Sequence, residues 1–466
     1  MSSRAKPDVQ PLTPDFLLGR LNDDLPAARH YRVAFSGGLD SSVLLNLLVM
    51  VRARLRAPLS AIHINHRLQA QSAAWTEHCR RECQRLGIPL TTREVDAVHQ
   101  PGESPEAAAR VARYNALADA TGPEEMLLTA HHRDDQAETL LLQLLRGAGV
   151  EGLAAMPLVR AWAGGWHARP LLASSRAAIH DWAVAHRLPW VDDPSNAGVA
   201  ADRNYLRHQV MSALTARWPG AVQNIARSAA HCADAAAMIR DQAALDLAQM
   251  AGSAADRLPV TALRGLPDAR ARNLLRLWLQ RLGAAPLPAT RLEEALSQLY
   301  TARADAQVCI AWQGLTLRRY RDEVWLVAEH RCAPPAADLD WDGGPLLLGP
   351  GLGLVRRRLA PGGIAPQLWE HGRVQLGFRR AGLRCRPAGR VGRRSFKDLA
   401  QECGIPPWLR DCVPLVLIDG ELAGVANCCT CDPFAASAGA LGWVIEWSPA
   451  GRGEGCGEGA GSNGFD

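Results

Sequence analysis

The most constraining feature of this chain is a short apolar run, Tyr31-Arg32-Val33-Ala34-Phe35. It leads directly into Ser36-Gly37-Gly38-Leu39-Asp40-Ser41 and then into a helical pattern reaching Arg56. A buried strand, a glycine turn and a helix in that order place free backbone N–H groups and the positive end of a helix dipole before an oligophosphate. The alternation continues with strands at Leu59–Ile64, Leu90–Val95 and Met126–Ala130 and helices at Ala70–Leu86, Pro105–Ala120 and Asp134–Leu145. That spacing predicts an α/β fold, a doubly wound parallel sheet whose ligands sit at the carboxyl ends of the strands. The glycine loop, the His63 region and the His131 region all follow predicted strand ends, so one crevice should gather them.

Composition narrows the phosphate chemistry. Of 52 basic side chains only Lys6 and Lys397 are lysines, so no lysine stands near the loop for a Walker-type site or a Schiff base. Small hydroxyls at Ser36, Ser41 and Ser42, with the loop amides, are the expected phosphate ligands. Asp40 cannot bind phosphate directly and is assigned to magnesium. The hexapeptide resembles the PP-loop of the ATP pyrophosphatases, which adenylate a substrate oxygen and release pyrophosphate.

Two further segments carry chemistry. His63-Ile64-Asn65-His66-Arg67-Leu68 closes the second strand, and by itself is weak evidence. His131-His132-Arg133-Asp134-Asp135-Gln136-Ala137-Glu138-Thr139 is more specific. A helix starting near Asp134 puts Asp134 and Glu138 one turn apart on one face. An acidic first turn also stabilises a helix dipole, but this does not explain the paired histidines or the Arg146-Gly147-Ala148-Gly149 ending. A small acidic pocket beside an ATP loop suits a cationic co-substrate such as an amine.

Together these motifs resemble bacterial tRNA(Ile)-lysidine synthetases. The likeness runs through SGGLDS, HINHRL, PEAAARVARYNAL, AHHRDDQAETLLLQLLRGAG, RPLL at Arg169–Leu172, and DDPSN followed by RNYLRH at Arg203–His208. Arg67 and Gln69 stand where the family usually has Gly and Arg, and Ala148 where Ser is common. The resemblance implies that ATP and magnesium are bound by Ser36, Gly37, Gly38, Leu39, Asp40 and Ser41, with His63 and Asn65 completing the ATP site. It implies that Arg110 or Arg113, beside Tyr114, offsets charge as pyrophosphate leaves. Free L-lysine would be held and deprotonated by Asp134, Asp135 and Glu138. The other substrate would be an isoleucine tRNA with a CAU anticodon, contacted by Arg203, Asn204 and Arg207. A cytoplasmic enzyme is expected, with no membrane association; the oligomeric state is left open, a dimer being one option.

The expected domains are a PP-loop (adenine nucleotide α-hydrolase-like) domain over 1–215, a helical linker over 216–250 and a middle tRNA-binding domain over 251–331. A linker over 332–372, a basic tRNA-binding domain over 373–448 and a disordered glycine-rich tail over 449–466 follow. The two later domains are expected to be small and α+β. Between Arg373 and Lys397 there are nine Arg or Lys and no Asp or Glu, a one-sided run that suits a polyanion. Arg379, Arg380, Arg393, Arg394 and Lys397 are its candidate contacts; the middle domain adds Arg270, Arg272, Arg276, Arg281, Arg318, Arg319 and Arg321. Met1–Pro14 lacks an apolar signal core, so the twelve cysteines are expected as reduced thiols. Cys428, Cys429 and Cys431 cluster, but a structural zinc needs a second ligand pair, and none stands at a convincing interval. Cys79 and Cys83 lack the third cysteine that an iron–sulfur thiolase site requires, and no glutaminase motif supports amidation. A tRNA-binding protein without catalysis is the reading of another class, opposed by the intact loop and acidic helix.

Overall fold

The computed structural model describes residues 12–65, 71–95, 105–193, 198, 201–250, 256–303, 308–328, 334–335, 337–349, 351–379 and 382–449. His66, Arg67, Gln69, Asn196, Arg380 and the tail beyond 449 therefore lie outside the described residues. The chain divides near Ile239 into two compact units.

In the first unit the elements are α1 (Pro14–Asp23), β1 (His30–Ala34), α2 (Leu39–Met50), β2 (Leu59–Asn65), α3 (Ser72–Leu86), β3 (Leu90–Glu94), α4 (Pro105–Asp119), β4 (Glu125–Leu128) and α5 (Arg133–Leu145). A short α6 (Val150–Leu153) leads to β5 (Val159–Trp162), β6 (Gly165–Ala168), α7 (Arg176–Ala185), α8 (Asp202–Tyr205), α9 (Met211–Arg217) and the first part of α10 (Ala221–Gln249), within which the division falls. Pro219-Gly220 separates α9 from α10, as a missing amide and a flexible backbone should. The strand order is β3-β2-β1-β4-β6-β5, with only β5 antiparallel, paired to β6 at the edge. The sheet reverses direction of growth between β1 and β4, the point where open parallel sheets form their ligand crevice.

Side-chain alternation along the strands explains the layers. Val33, Ala61, Met126 and Leu128 point into one core with Leu17, Leu21, Cys79, Cys83 and Ile179 from α1, α3 and α7. Ile62 and Leu127 point to the other face, where Tyr114 and Leu117 of α4 cover them. Helix α2 is buried from Ser41 to Leu48 on nearly all sides, which is why it reads as continuously apolar rather than amphipathic.

In the second unit, the antiparallel sheet β7-β10-β9-β8 (Arg257–Pro259, Glu323–Ala328, Leu315–Tyr320, Cys309–Trp312) packs with α11 (Val260–Arg264), α12 (Asp268–Arg281) and α13 (Ala289–Thr301) around Trp278. The rest of the chain builds β11 (Leu339–Asp340), β12 (Leu346–Leu347), β13 (Leu354–Pro361), α14 (Pro366–His371), β14 (Val374–Gly377), β15 (Arg384–Cys385), β16 (Arg394–Ser395) and α15 (Phe396–Glu402). It ends in β17 (Leu415–Ile418), β18 (Glu421–Val425), β19 (Cys429–Thr430) and β20 (Leu441–Ser448).

Two sequence expectations are corrected here. The span 332–372 is not a linker where it is described: β13 pairs with β20 along its whole length, and Trp341, Leu352, Val355, Ile364 and Trp369 belong to the C-terminal core. Its Pro and Gly content reflects tight turns between short strands, and β13 finds its partner nearly ninety residues away, so no local pattern reveals it. The cysteines are not all reduced either: Cys385 is bonded to Cys431, and Cys403 to Cys428.

Gly165 shows how tightly the first sheet is packed. A Cβ there would lie 2.2 Å from the Glu125 carbonyl oxygen, an immovable backbone atom. Gly165→Ala should therefore lower stability by about 1–3 kcal/mol, read as a shifted urea midpoint with an unchanged slope.

Candidate active site

The glycine loop between β1 and α2 is rigid before any ligand arrives. Gly37 has a φ of +81°, and a Cβ on it would stand 2.9 Å from the Cys79 sulfur, so two independent constraints demand glycine. Its carbonyl accepts from the Val191 amide at 2.9 Å. Gly38 is the N-cap of α2, and its amide donates to Ser36 Oγ, which lies 3.0 Å from Ser41 Oγ. Ser41 Oγ also donates to the Gly38 carbonyl. The loop hydroxyls thus hold the turn that opens the N-terminus of α2 to the crevice.

His63 is placed by strand β2, but both ring nitrogens are occupied inside the protein. Nδ1 lies 2.9 Å from the Phe35 carbonyl and 3.4 Å from Cys79 Sγ, while Nε2 lies 3.2 Å from Thr76 Oγ1. Burial lowers its pKa and keeps it neutral, so the side chain braces the loop against α3. Asn65 is buried at the end of the same strand. Burial also pushes the Cys79 and Cys83 thiols up to about 12, leaving them inert.

Across the switch point, His132 is the N-cap of α5, forming a reciprocal box with Asp135: each backbone amide donates to the other's side chain. This sets three acidic side chains in two directions. Asp134 turns toward α7, where Oδ2 accepts the Arg176 amide at 2.9 Å. Asp135 and Glu138 turn inward and are buried, Glu138 to 2% exposure. Arg203 and Arg207 meet them. Arg203 Nε donates to Glu138 at 2.9 Å and its terminal nitrogen to Asp135 at 3.0 Å. Arg207 Nε donates to Glu138 at 2.7 Å, and its terminal nitrogen reaches both carboxylates. The two arginines stand four residues apart, on α8 and the π-helical turn Leu206–Val210 that follows it.

Burial alone would raise the Asp135 carboxyl, but His132 and Arg203 hold it well below the usual carboxylate range. For Arg207 burial acts to lower the pKa, but the Glu138 hydrogen bond together with the charges of Glu138, Asp135 and Asp40 outweighs it, so its charge is reinforced. Asp40 behaves oppositely. Burial raises its pKa against the nearby His132, whose Nε2 is 3.8 Å away, and its Oδ1 is buried without a hydrogen-bond partner among the described residues.

The structure therefore gathers Ser36 to Ser41, Asp40, His132, Asp135, Glu138, Arg203 and Arg207 around one crevice. Arg203 and Arg207, expected from the sequence to contact tRNA, here bind the acidic pair. Arg113 stacks on the Tyr114 ring at 5.5 Å, as Arg110 does at 5.2 Å. Arg110 is the one whose charge is felt at His131 and His167. His167 was not singled out by sequence: it is fully buried, and Thr129 Oγ1 sits 2.9 Å from both its Nε2 and His131 Nδ1. Burial holds both histidines neutral. A lone histidine in a strand gives no signal of such a pairing.

In the second unit, Arg379 pairs with Asp411, while Arg393, Arg394 and Lys397 are exposed with no ion pair among the described residues.

Comparison with known proteins agrees with this architecture. Residues 17–214 match a PP-loop domain family, 258–325 the TilS substrate binding domain and 374–447 the TilS substrate C-terminal domain. A tRNA(Ile)-lysidine synthase of Methylococcus capsulatus is 42% identical over 90% of this chain and 96% of its own length. The proteins of that name from Alkalilimnicola ehrlichii and Pseudomonas aeruginosa are each 44% identical, over 93% and 90% of this chain and 96% and 93% of theirs. The chain belongs to the tRNA(Ile)-lysidine synthase family. Among the described residues, no helix is long and apolar enough to cross a membrane.

Within this family setting the buried charge cluster makes a stability prediction. The depressed pKa of Asp135 means that its contribution is present above the unfolded carboxylate value of about 3.9 and is lost as pH falls through the folded one. Asp135→Asn should therefore unfold at lower urea at neutral pH, with the gap to the parent closing as the pH drops below about 4. Arg207→Ala, which strips a partner from buried Glu138, should cost about 3 kcal/mol.

Proposed function

We propose that this chain ligates lysine to carbon 2 of the wobble cytidine of an isoleucine tRNA with a CAU anticodon, converting it to lysidine as ATP becomes AMP and pyrophosphate. The modified base would read AUA instead of AUG and change the tRNA's identity from methionine to isoleucine. The observation that carries this reading is the single crevice between β1 and β4: an ATP-pyrophosphatase loop faces an acidic helix start, in a chain whose three domains match the family in order.

In the first step the cytidine O2 attacks the α-phosphorus, and the bond to the β-phosphate breaks. The amides of Gly37, Gly38 and Leu39 and the hydroxyls of Ser36 and Ser41 bind the phosphates at the α2 N-terminus. Arg110 or Arg113 offsets the charge on departing pyrophosphate. Asp40 supplies the oxygen for magnesium; its orphaned buried Oδ1 and raised pKa fit a carboxylate that gains its natural partner when a hard cation binds. When bound, that ion would neutralise phosphate charge.

In the second step the lysine Nε attacks ring carbon 2, AMP leaves with the adenylated oxygen, and the amine gives up a proton. Asp134, Asp135 and Glu138 form the ammonium site. Asp135 is too acidic to be an effective base, so its part is to bind charge. Because Arg203 and Arg207 already neutralise Asp135 and Glu138, an incoming ammonium must share their oxygens or draw on Asp134, whose partner is a backbone amide. Each carboxylate has about four acceptor directions, which permits sharing. The exposed Arg393, Arg394 and Lys397, with Arg379, are the tRNA phosphate contacts of the C-terminal domain; Arg380 is assigned with them by sequence alone. Such contacts give affinity and orientation, not base reading.

Incubation with unmodified CAU-anticodon tRNA, ATP and labelled lysine should place label in the tRNA and release pyrophosphate in equal amount. ATP cleavage without labelling would overturn the lysine assignment. Asp40→Asn should abolish pyrophosphate release while leaving tRNA affinity, measured by filter binding, nearly unchanged.

A further inference from the structure

The segment from Gly382 to Ser395 carries five arginines, yet it has almost nothing apolar to fold around. Leu383 is only partly buried, Val391 is 97% exposed, and β15 and β16 pair over just two residues. Its buried anchor is Cys385, which shares a small separate core with Leu399 and Cys431, flanked by Cys428, Cys429 and Leu422. The anchoring backbone runs alongside β19: the Ala388 amide donates to the Thr430 carbonyl at 3.0 Å and the Asp432 amide to the Arg386 carbonyl at 2.8 Å. So small a unit needs a covalent or metal staple, since hydrophobic burial cannot hold it.

Sulfur supplies the staple, and there is more of it than a disulfide uses. The Cys385–Cys431 bond needs two sulfurs, but Cys429 lies beside them, with all three Sγ atoms within 4.8 Å of one another. Cys429 and Cys431 are two apart on an extended segment, so both project to one face. Three thiolates around a tetrahedral Zn²⁺, each at about 2.3 Å, stand about 3.8 Å apart. Cys429 already lies near that reach, and breaking the Cys385–Cys431 bond frees the other two sulfurs to separate to it. The distant second contribution that sequence spacing lacked is Cys385, brought in by the fold.

We propose that the C-terminal domain binds a soft divalent cation, Zn²⁺ in its natural form, through Cys385, Cys429 and Cys431, and that this ion is the reduced-state staple of the arginine hairpin. Two-electron reduction of the Cys385–Cys431 bond by an external dithiol, which leaves as its own disulfide, yields two thiols. With Cys429 they bind Zn²⁺ and release three protons. Cys429 is partly exposed, which leaves the fourth position to water. The separate Cys403–Cys428 bond is not part of the site.

Co²⁺ is the probe for the test, added to the full chain after reduction with a phosphine and anaerobic removal of the reductant. One equivalent should bind, with sulfur-to-cobalt charge transfer of three-thiolate intensity and tetrahedral visible bands, and Zn²⁺ should displace it. Binding should be lost in Cys429→Ser, which retains both partners of the Cys385–Cys431 bond and whose oxidised fold is checked by circular dichroism. It should persist in Cys309→Ser. Zn²⁺ should also slow tryptic cleavage between Arg384 and Arg394 in the reduced parent but not in Cys429→Ser. A cobalt spectrum without thiolate charge transfer, or equal metal binding by the parent and Cys429→Ser, would overturn the proposal. Neither outcome depends on lysidine formation.

Discussion

Two carboxylates buried in the opening turns of α5 are the constraint around which the first unit is organised. Asp135 and Glu138 could not remain charged inside the protein without partners, because an unpaired buried carboxylate costs several kcal/mol. The partners come from Arg203 and Arg207, more than sixty residues later in the chain. That pairing draws the α8 segment onto α5, and the His132–Asp135 box fixes the helix start that aims both acids. A hydrophobic pair would fill the same space, but it would offer no charged oxygens to an amine.

The opposite wall of the crevice uses a different principle. There side chains hold the backbone of the loop open. Gly37 is pressed against Cys79, His63 is clamped between Phe35 and Thr76, and the serine hydroxyls bind one another and the loop carbonyl. Free amides and a helix dipole are groups that can bind phosphate without a Walker lysine. Asp40 stands between the walls, and among the described carboxylates it is the one whose pKa burial has raised.

Much of this was legible in the sequence where the signal is local. The strand–loop–helix order around Ser36–Ser41, the parallel sheet and the helix beginning at Arg133 follow from periodicity and capping chemistry that act within a few residues. The misreadings share a cause, which is long sequence separation. Span 332–372 looked like a linker because β13 has its partner at β20. The pairing of Arg203 and Arg207 with Asp135 and Glu138 gave no signal because the two acids are far upstream. Cys428, Cys429 and Cys431 looked like an incomplete ligand set because Cys385 and Cys403 reach them only in the folded domain.

The basic run from Arg373 to Lys397 shows the same division most clearly. Sequence alone determined that this segment carries nine positive charges and no negative ones, since composition needs no fold. Tertiary structure decided which of those charges have an acidic partner: Arg373 meets Asp340, Arg379 meets Asp411, Arg386 meets Asp432 and Arg390 meets Glu402. It left Arg384, Arg393, Arg394 and Lys397 exposed and without an ion pair among the described residues. Local order follows from backbone and side-chain preferences that neighbouring residues satisfy among themselves. Charge pairing and thiol convergence depend on distances that exist only once the chain has closed on itself.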